Sequence, residues 1–162
     1  MTTYPTVLLD RADGVARLTL NRPEAANAMS GQFAEDFLAA ITEAETDPGC
    51  HVLLLRANGR IFCAGGDLAE MAAAEDTPAM FRRVGPRLNA AMLALASSRL
   101  LVIAVVQGPA AGAGIALVLN ADIVFAGESA SFRAAYASVG LTPDCGVSHL
   151  LPRAVGPRRA IE

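Results

Sequence analysis

The chain contains no lysine and no tryptophan, and it carries little charge of either sign. All 13 basic residues among the 162 are arginine, and only 18% of residues are charged. Without lysine the chain cannot form a Walker A phosphate loop, a lysine Schiff base or a lysine general base. The formal net charge of −3 argues against nucleic-acid binding, and the 53% hydrophobic content excludes a disordered chain. This composition predicts one folded domain over residues 1–162 with a substantial core.

Paired cysteines and a membrane segment are also missing. The three cysteines, Cys50, Cys63 and Cys145, form no CxxC pair. This pattern argues against a disulfide framework or a zinc site and favours reduced thiols in the cytoplasm. The first residues show no signal-peptide pattern, so we expect none. Residues 100–119 lack charge, but Gly108-Pro109 interrupts them, which favours a strand, a turn and a helix over a membrane span.

Strand and helix patterns alternate along the chain. Val15 to Leu20 alternates apolar and polar residues, and Leu101 to Val106 is continuously apolar, so both are predicted strands. After Ser30, apolar residues recur at helical spacing until Asp47. Asp67 is expected to open a short helix, with Glu70 at the spacing of a capping box. The alternation predicts an α/β core in which helices cover buried strands.

Two similar junctions are the most informative feature. In each, a buried strand runs into glycines and a helix follows: Phe62 to Leu68 (FCAGGDL) and Gly108 to Ile115 (GPAAGAGI). The first NH groups of a helix lack intrahelical partners, and small residues let a ligand approach them. If both junctions face one cavity, one NH from each can hold a single oxygen, as in an oxyanion hole. The alternative is that the glycines only form tight turns and close packing.

Other familiar motifs are incomplete. Gly112 and Gly114 begin a dinucleotide-binding fingerprint, but Leu117 occupies the third glycine position, so a nicotinamide site is not expected. There is no GxSxG nucleophile elbow. His51 and His149 lack metal-ligand spacing, and we interpret His51 as a surface or edge residue and His149 as structural and not catalytic.

Asp144 is the carboxylate that the sequence singles out. It lies in the glycine- and proline-containing stretch Gly140 to Val147. A carboxylate there could shuttle protons, or it could cap the helix that follows.

Four segments, in this order, resemble the crotonase (enoyl-CoA hydratase/isomerase) superfamily. They are Leu20 to Met29 (LNRPEAANAM), Ile61 to Leu68 (IFCAGGDL), Val105 to Gly114 followed by Ala121 to Ile123, and Leu150 to Gly156 (LLPRAVG). The resemblance implies a spiral of ββα units that binds an acyl-CoA thioester, with no cofactor beyond the coenzyme A of the substrate and no metal. It implies that the NH groups of Gly66 and Ala113 hold the thioester oxygen. The residues implied on the coenzyme A side are Ala64 (near the adenine), Gly65, Asp67, Leu68 and, unless it is simply solvated, Arg22.

The departures from the family bear on the reaction. Hydratases of the family use two glutamates, and the resemblance places Ala116 and Tyr136 at those positions. Asp144 falls where family isomerases and an aryl-CoA dehalogenase carry a working aspartate, and its surroundings are most similar to the phenylacetate-pathway isomerases. We therefore expect an isomerase of enoyl-CoA or epoxyphenylacetyl-CoA in which Asp144 shuttles the proton. The alternatives are a hydratase-like enzyme, an enzyme in which Asp144 is a nucleophile, and a non-catalytic acyl-CoA-binding protein.

The family continues beyond the position of Glu162 into a C-terminal helical region. That region closes the acyl pocket and helps to build homotrimers or hexamers. We therefore expect a spiral core that lacks this region and exposes apolar surface.

Overall fold

A computed structural model describes residues 1–161. The strands are β1 (Thr2–Thr3), β2 (Val7–Ala12), β3 (Val15–Leu20), β4 (Val52–Ala57), β5 (Leu101–Val106), β6 (Ala110–Ala111), β7 (Ile123–Ala126) and β8 (Phe132–Arg133). The α-helices are α1 (Gly31–Thr46), α2 (Leu68–Ala73), α3 (Thr77–Ala96), α4 (Gly114–Leu119), α5 (Val147–Val155) and α6 (Pro157–Ile161). Two short 3-10 helices cover Pro23–Ala25 and Ala135–Val139.

The main sheet has six strands in the order β1-β2-β3-β4-β5-β7. The first three strands pair antiparallel, whereas β3, β4, β5 and β7 run parallel. A second, smaller layer consists of β6 paired with β8 and of isolated bridges that join Met29 to Gly66 and Cys63 to Ala110. Each turn of the chain thus adds one strand to the large sheet and one short extended segment to the small layer before its helix. This is the ββα spiral that the resemblance implied.

Local sequence explains why the first long helix forms where it does. The Ser30 side chain accepts a hydrogen bond from the Phe33 amide at 3.1 Å and caps α1. Phe33 and Phe37 stack with ring centroids 5.1 Å apart, and both are buried. Helix α1 packs against β2, β3 and α3, so its apolar face closes one side of the core.

The segment from 100 to 119 folds as the sequence predicts, into β5, a turn and α4. No helix among residues 1–161 is long and apolar enough to cross a membrane. The structure does expose apolar side chains towards its C-terminal side, including Phe125 at 61% and Phe132 at 49%.

Candidate active site

The two glycine-containing junctions lie side by side. The Pro109 carbonyl accepts hydrogen bonds from the amides of Phe62 (3.0 Å) and Cys63 (3.3 Å), and the Ala111 amide donates to the Cys63 carbonyl at 2.9 Å. These hydrogen bonds join the segment after β4 to the segment after β5. The two helix starts are therefore neighbours, as the hypothesis of a shared oxyanion hole requires.

Glycine is needed where the two junctions touch. Gly65 has φ +93°, and a Cβ built there would lie 2.7 Å from the Ala111 carbonyl oxygen and 3.2 Å from the Ala113 nitrogen. A Cβ on Gly114 would collide with the Cys63 carbonyl. The glycines thus allow the tight turns and close packing that were the alternative to an oxyanion hole. The same packing brings the backbones of Gly66 and Ala113 together.

The NH groups of Gly66 and Ala113 are available to a ligand. Among residues 1–161, neither nitrogen donates a hydrogen bond to a protein acceptor. Both residues line one cavity of about 430 Å³, which is within the range of small-molecule sites. Helices α2 and α4 have only six residues each. The site would therefore hold an oxygen mainly through the two NH groups and less through a helix dipole.

The cavity gathers most of the residues that the sequence singled out. Its wall includes Ala64, Gly66, Asp67, Leu68, Ala113 and Asp144. Gly65 and Arg22 lie outside this wall: Gly65 sits behind it, between the junctions, and Arg22 approaches Asp67. Ala64 and Leu68 are exposed, which places them where a ligand enters.

Asp67 is held by its own surroundings. Its carboxylate caps α2 by accepting from the amides of Ala69 and Glu70 at 3.1 Å, and it forms a salt bridge with Arg22 at 3.0 Å. Burial opposes ionisation of Asp67, but these donors and the Arg22 charge outweigh burial and hold its pKa below the usual range. Arg22 also donates to the Ala28 carbonyl, so its guanidinium is anchored within the protein. A contact of Arg22 with coenzyme A phosphates stays a prediction.

Asp144 does not cap a helix. Gly146, in a left-handed conformation, is the N-cap of α5, and no side chain caps that terminus. The Asp144 side chain is instead exposed on the turn before α5 and lines the cavity. It faces the hydroxyl of Tyr136 and the thiol of Cys145, whose pKa is raised to about 12, first by burial and then by the Asp144 charge. The interpretation of Asp144 as the cap of the following helix is therefore wrong, and its carboxylate lines the cavity.

Sequence reasoning missed several wall residues. Half of the expected capping box forms: Asp67 accepts from the Glu70 amide, but the Glu70 carboxylate accepts from the Gly31 amide at 2.9 Å instead of returning to the start of α2. Glu70 lines the cavity, as do Met71 and Cys145. Phe81 is 36% exposed and lines the cavity from α3. Its helical spacing with Val84 and Leu88 was the available signal, but that spacing does not distinguish a core face from a cavity wall.

Within residues 1–161, no group of three or more His, Cys, Asp or Glu side chains is arranged to hold a metal ion. His149 contacts Arg153 at 2.7 Å on the exposed side of α5, and His51 is exposed beside β4. Both histidines are thus peripheral to the cavity.

Comparison with known proteins places this site in a family. The family model described as enoyl-CoA hydratase/isomerase matches residues 10–162. The chain belongs to the enoyl-CoA hydratase/isomerase family. Its fold agrees with the crystal structure of an enoyl-CoA hydratase from Mycobacterium avium subsp. paratuberculosis, with a TM-score of 0.87 and 32% identity over 99% of this chain and 63% of that one. The crotonase fold and the resemblance stated from the motifs are confirmed.

Relatives within the family carry different activities in their names. A Mycobacterium tuberculosis protein named as a probable enoyl-CoA hydratase is 40% identical over 99% of this chain and 62% of its own length. The 1,2-epoxyphenylacetyl-CoA isomerase of Escherichia coli is 41% identical over 91% of this chain and 57% of its own length. The chain thus spans about 60% of the length of these curated relatives.

Proposed function

We propose that this protein binds an acyl-CoA thioester and moves a double bond or opens an epoxide in its acyl group through a thioester enolate. The observation that supports the proposal is one cavity whose wall contains the unpaired NH groups of Gly66 and Ala113 together with the Asp144 carboxylate. Removing a proton beside the thioester carbonyl places negative charge on the carbonyl oxygen. Two fixed NH donors stabilise that charge by about 3–4 kcal/mol for each donor in comparable sites.

The carboxylate completes a proton-transfer cycle. In double-bond migration, Asp144 takes the proton from the carbon next to the thioester carbonyl, and the electron pair moves into the enolate. The protonated Asp144 then returns the proton to the far end of the migrating double bond. Atoms and charge balance without a cofactor other than the coenzyme A of the substrate. A carboxylate at the open side of the cavity suits this role because it must exchange one proton between two carbons.

The mouth and the interior suit different parts of the substrate. Coenzyme A would enter past the exposed Ala64 and Leu68, with its adenine near Ala64 and Asp67 along the wall. The interior presents apolar side chains, namely Met29, Met71, Met80, Phe81, Val84 and Leu88. An apolar acyl or aryl group fits this lining, and the E. coli relative named as an epoxyphenylacetyl-CoA isomerase supports an aryl group as one option. Association into homotrimers or hexamers is also proposed, since β7 and β8 leave apolar side chains exposed.

Isomerisation is favoured over hydration by the residues at the two family glutamate positions. Ala116 is a buried methyl group within α4, and Tyr136 is a phenol, so neither can activate water as a carboxylate does. Hydration remains the second candidate because Glu70 and Asp144 are two carboxylates on the same cavity wall. Of the two, Glu70 already accepts a hydrogen bond from the Gly31 amide, which holds its carboxylate at the start of α1.

The Asp144→Asn variant tests the proposal. The variant is expected to bind an unsaturated acyl-CoA as the parent protein does, while double-bond migration, followed by the absorbance of the conjugated thioester, falls about 100-fold or more. Asp10→Asn is the matched control, because Asp10 lies on β2 outside the cavity wall and should leave the rate unchanged.

The products separate the alternatives. A hydroxyacyl-CoA product would support the hydratase, and a covalent adduct on Asp144 would support a nucleophilic role. Recovery of unchanged acyl-CoA after long incubation, despite binding, would support a non-catalytic acyl-CoA-binding protein. Full activity of Asp144→Asn would contradict the proposed mechanism.

A further inference from the structure

The Tyr136 hydroxyl is a buried polar group without a partner. Tyr136 is 5% exposed, lies in the 3-10 helix Ala135–Val139, and lines the same cavity as Gly66, Ala113 and Asp144. Within residues 1–161, its hydroxyl oxygen is covered from solvent and makes no hydrogen bond of acceptable geometry. Buried hydroxyl groups nearly always have a partner, so an unpaired one beside a reaction cavity calls for a functional explanation.

The group that faces this hydroxyl is the Asp144 carboxylate. The pKa of Tyr136 is raised above its ordinary value, first by burial, next by the negative charge of Asp144 and then by the proximity of its hydroxyl to the Asp144 carboxylate. The phenol therefore keeps its proton and remains a donor at neutral pH. The Tyr136 side chain is buried, whereas Asp144 is exposed on the turn that follows. The Leu141 amide donates to the Tyr136 carbonyl at 3.0 Å, which ties the start of that turn to the same 3-10 helix.

The other titratable groups on the cavity wall are already engaged or do not ionise at neutral pH. Asp67 is bound by Arg22, and Glu70 accepts from the Gly31 amide. Burial raises the pKa of the Cys145 thiol to about 12. Among the titratable groups of this wall, the pair that can still combine is thus the Tyr136 hydroxyl and the Asp144 carboxylate.

We propose that Tyr136 is the positioning residue for Asp144: its buried hydroxyl donates a hydrogen bond to the carboxylate when acyl-CoA fills the cavity. This inference rests on the proposed role of Asp144 as the proton shuttle. The bond fixes the carboxylate towards the acyl carbons and stabilises its ionised form before it takes the proton. Tyr136 keeps its own proton throughout. Asp144 alone gains a proton and gives it back, so the cycle closes without further exchange.

Tyr136→Phe tests this role because it keeps the ring and removes only the hydroxyl. We expect unchanged acyl-CoA binding and a kcat about tenfold lower, the effect of losing one hydrogen bond to a charged group. The acid limb of the kcat profile, which reports groups in the substrate complex, should move to higher pH, since the ionised carboxylate has lost a donor there. Tyr4→Phe is the matched control. It removes the other tyrosine hydroxyl of the chain, which donates to Glu43 at 2.6 Å outside the cavity wall, and should leave the profile unchanged.

Combining the substitutions separates this inference from the proposed function. If Tyr136 acts through Asp144, the double variant Tyr136→Phe/Asp144→Asn should be no slower than Asp144→Asn alone. Suppose that Asp144→Asn is inactive while Tyr136→Phe keeps the kcat and the pH profile of the parent protein. That result would overturn the positioning role of Tyr136 and leave the proposed function standing. A raised KM with unchanged kcat in Tyr136→Phe would overturn it too, because the hydroxyl would then bind substrate. Full activity of Asp144→Asn would refute the proposed function itself.

Discussion

Replacing Gly65 by alanine should disrupt the packing that builds the site, and its cost can be worked from two sources. The first is backbone strain: an alanine at φ +93° carries a penalty of about 1–2 kcal/mol. The second is contact with the Ala111 carbonyl oxygen at 2.7 Å and the Ala113 nitrogen at 3.2 Å. Overpacking of this kind costs about 1–3 kcal/mol. Together they predict a loss of about 2–5 kcal/mol in the free energy of unfolding, which lowers Tm by about 4–20 °C.

Two further glycines separate these contributions. Gly140 has φ +71° and no atom within 4 Å of a built Cβ, so Gly140→Ala should show only the strain, about 1–2 kcal/mol. Gly127 lies outside the positive-φ region, and its nearest atom would be 3.7 Å away. Gly127→Ala should therefore leave stability unchanged or raise it by up to about 1 kcal/mol. Urea unfolding of the three variants measures the differences. If Gly65→Ala is no more destabilising than Gly140→Ala, the two junctions are not in tight contact and the reasoning fails.

Two titrations test the electrostatics. Because the folded state lowers the pKa of Asp67, the stability that this carboxylate contributes is present above its unfolded value of about 3.9 and is lost as the pH falls through the folded value. Asp67→Asn keeps the cap but loses the charge facing Arg22, so it should be about 1.5–3 kcal/mol less stable at pH 7, and the deficit should vanish in acid. Burial and the Glu43 carboxylate raise the pKa of Tyr4 to about 12, and that of Tyr136 is raised as well. Neither tyrosine of the folded chain should ionise near pH 10 by ultraviolet titration, and the stability that both confer should fall as the pH rises above about 10. A stability deficit of Asp67→Asn that persists in acid would contradict the expectation for Asp67. A phenolate signal with a midpoint near pH 10 in the folded protein would contradict the expectation for the two tyrosines.

Local patterns in the sequence predict the elements whose signals are local. The alternation in Val15 to Leu20 and the apolar run Leu101 to Val106 are confirmed as β3 and β5. The cap at Ser30 and the stop at Asp47 are confirmed as the ends of α1. The small second layer could not be predicted, since isolated bridges such as Cys63 to Ala110 depend on residues far apart in the chain.

In the candidate site too, features with a local signal could be predicted from the sequence, whereas contacts between distant residues could not. The paired junctions predicted a shared cavity because each junction carries its own local signature of strand, glycines and helix. Which polar groups meet inside that cavity depends on distant contacts. Local spacing suggested a capping role for Glu70, yet its partner is Gly31, 39 residues away. The pairing of Arg22 with Asp67 across 45 residues has no local signal either.

Binding of the thioester oxygen by the NH groups of Gly66 and Ala113 is the step on which the proposed mechanism most depends. Isotope-edited infrared spectroscopy of an acyl-CoA labelled with carbon-13 at the thioester carbonyl observes that bond directly. On binding, the carbonyl stretching band should move to lower frequency than in water, because two fixed donors polarise the bond more than solvent does. In Gly65→Ala, which presses on Ala113, the shift should shrink. A bound carbonyl band at its aqueous frequency in the parent protein would contradict the account.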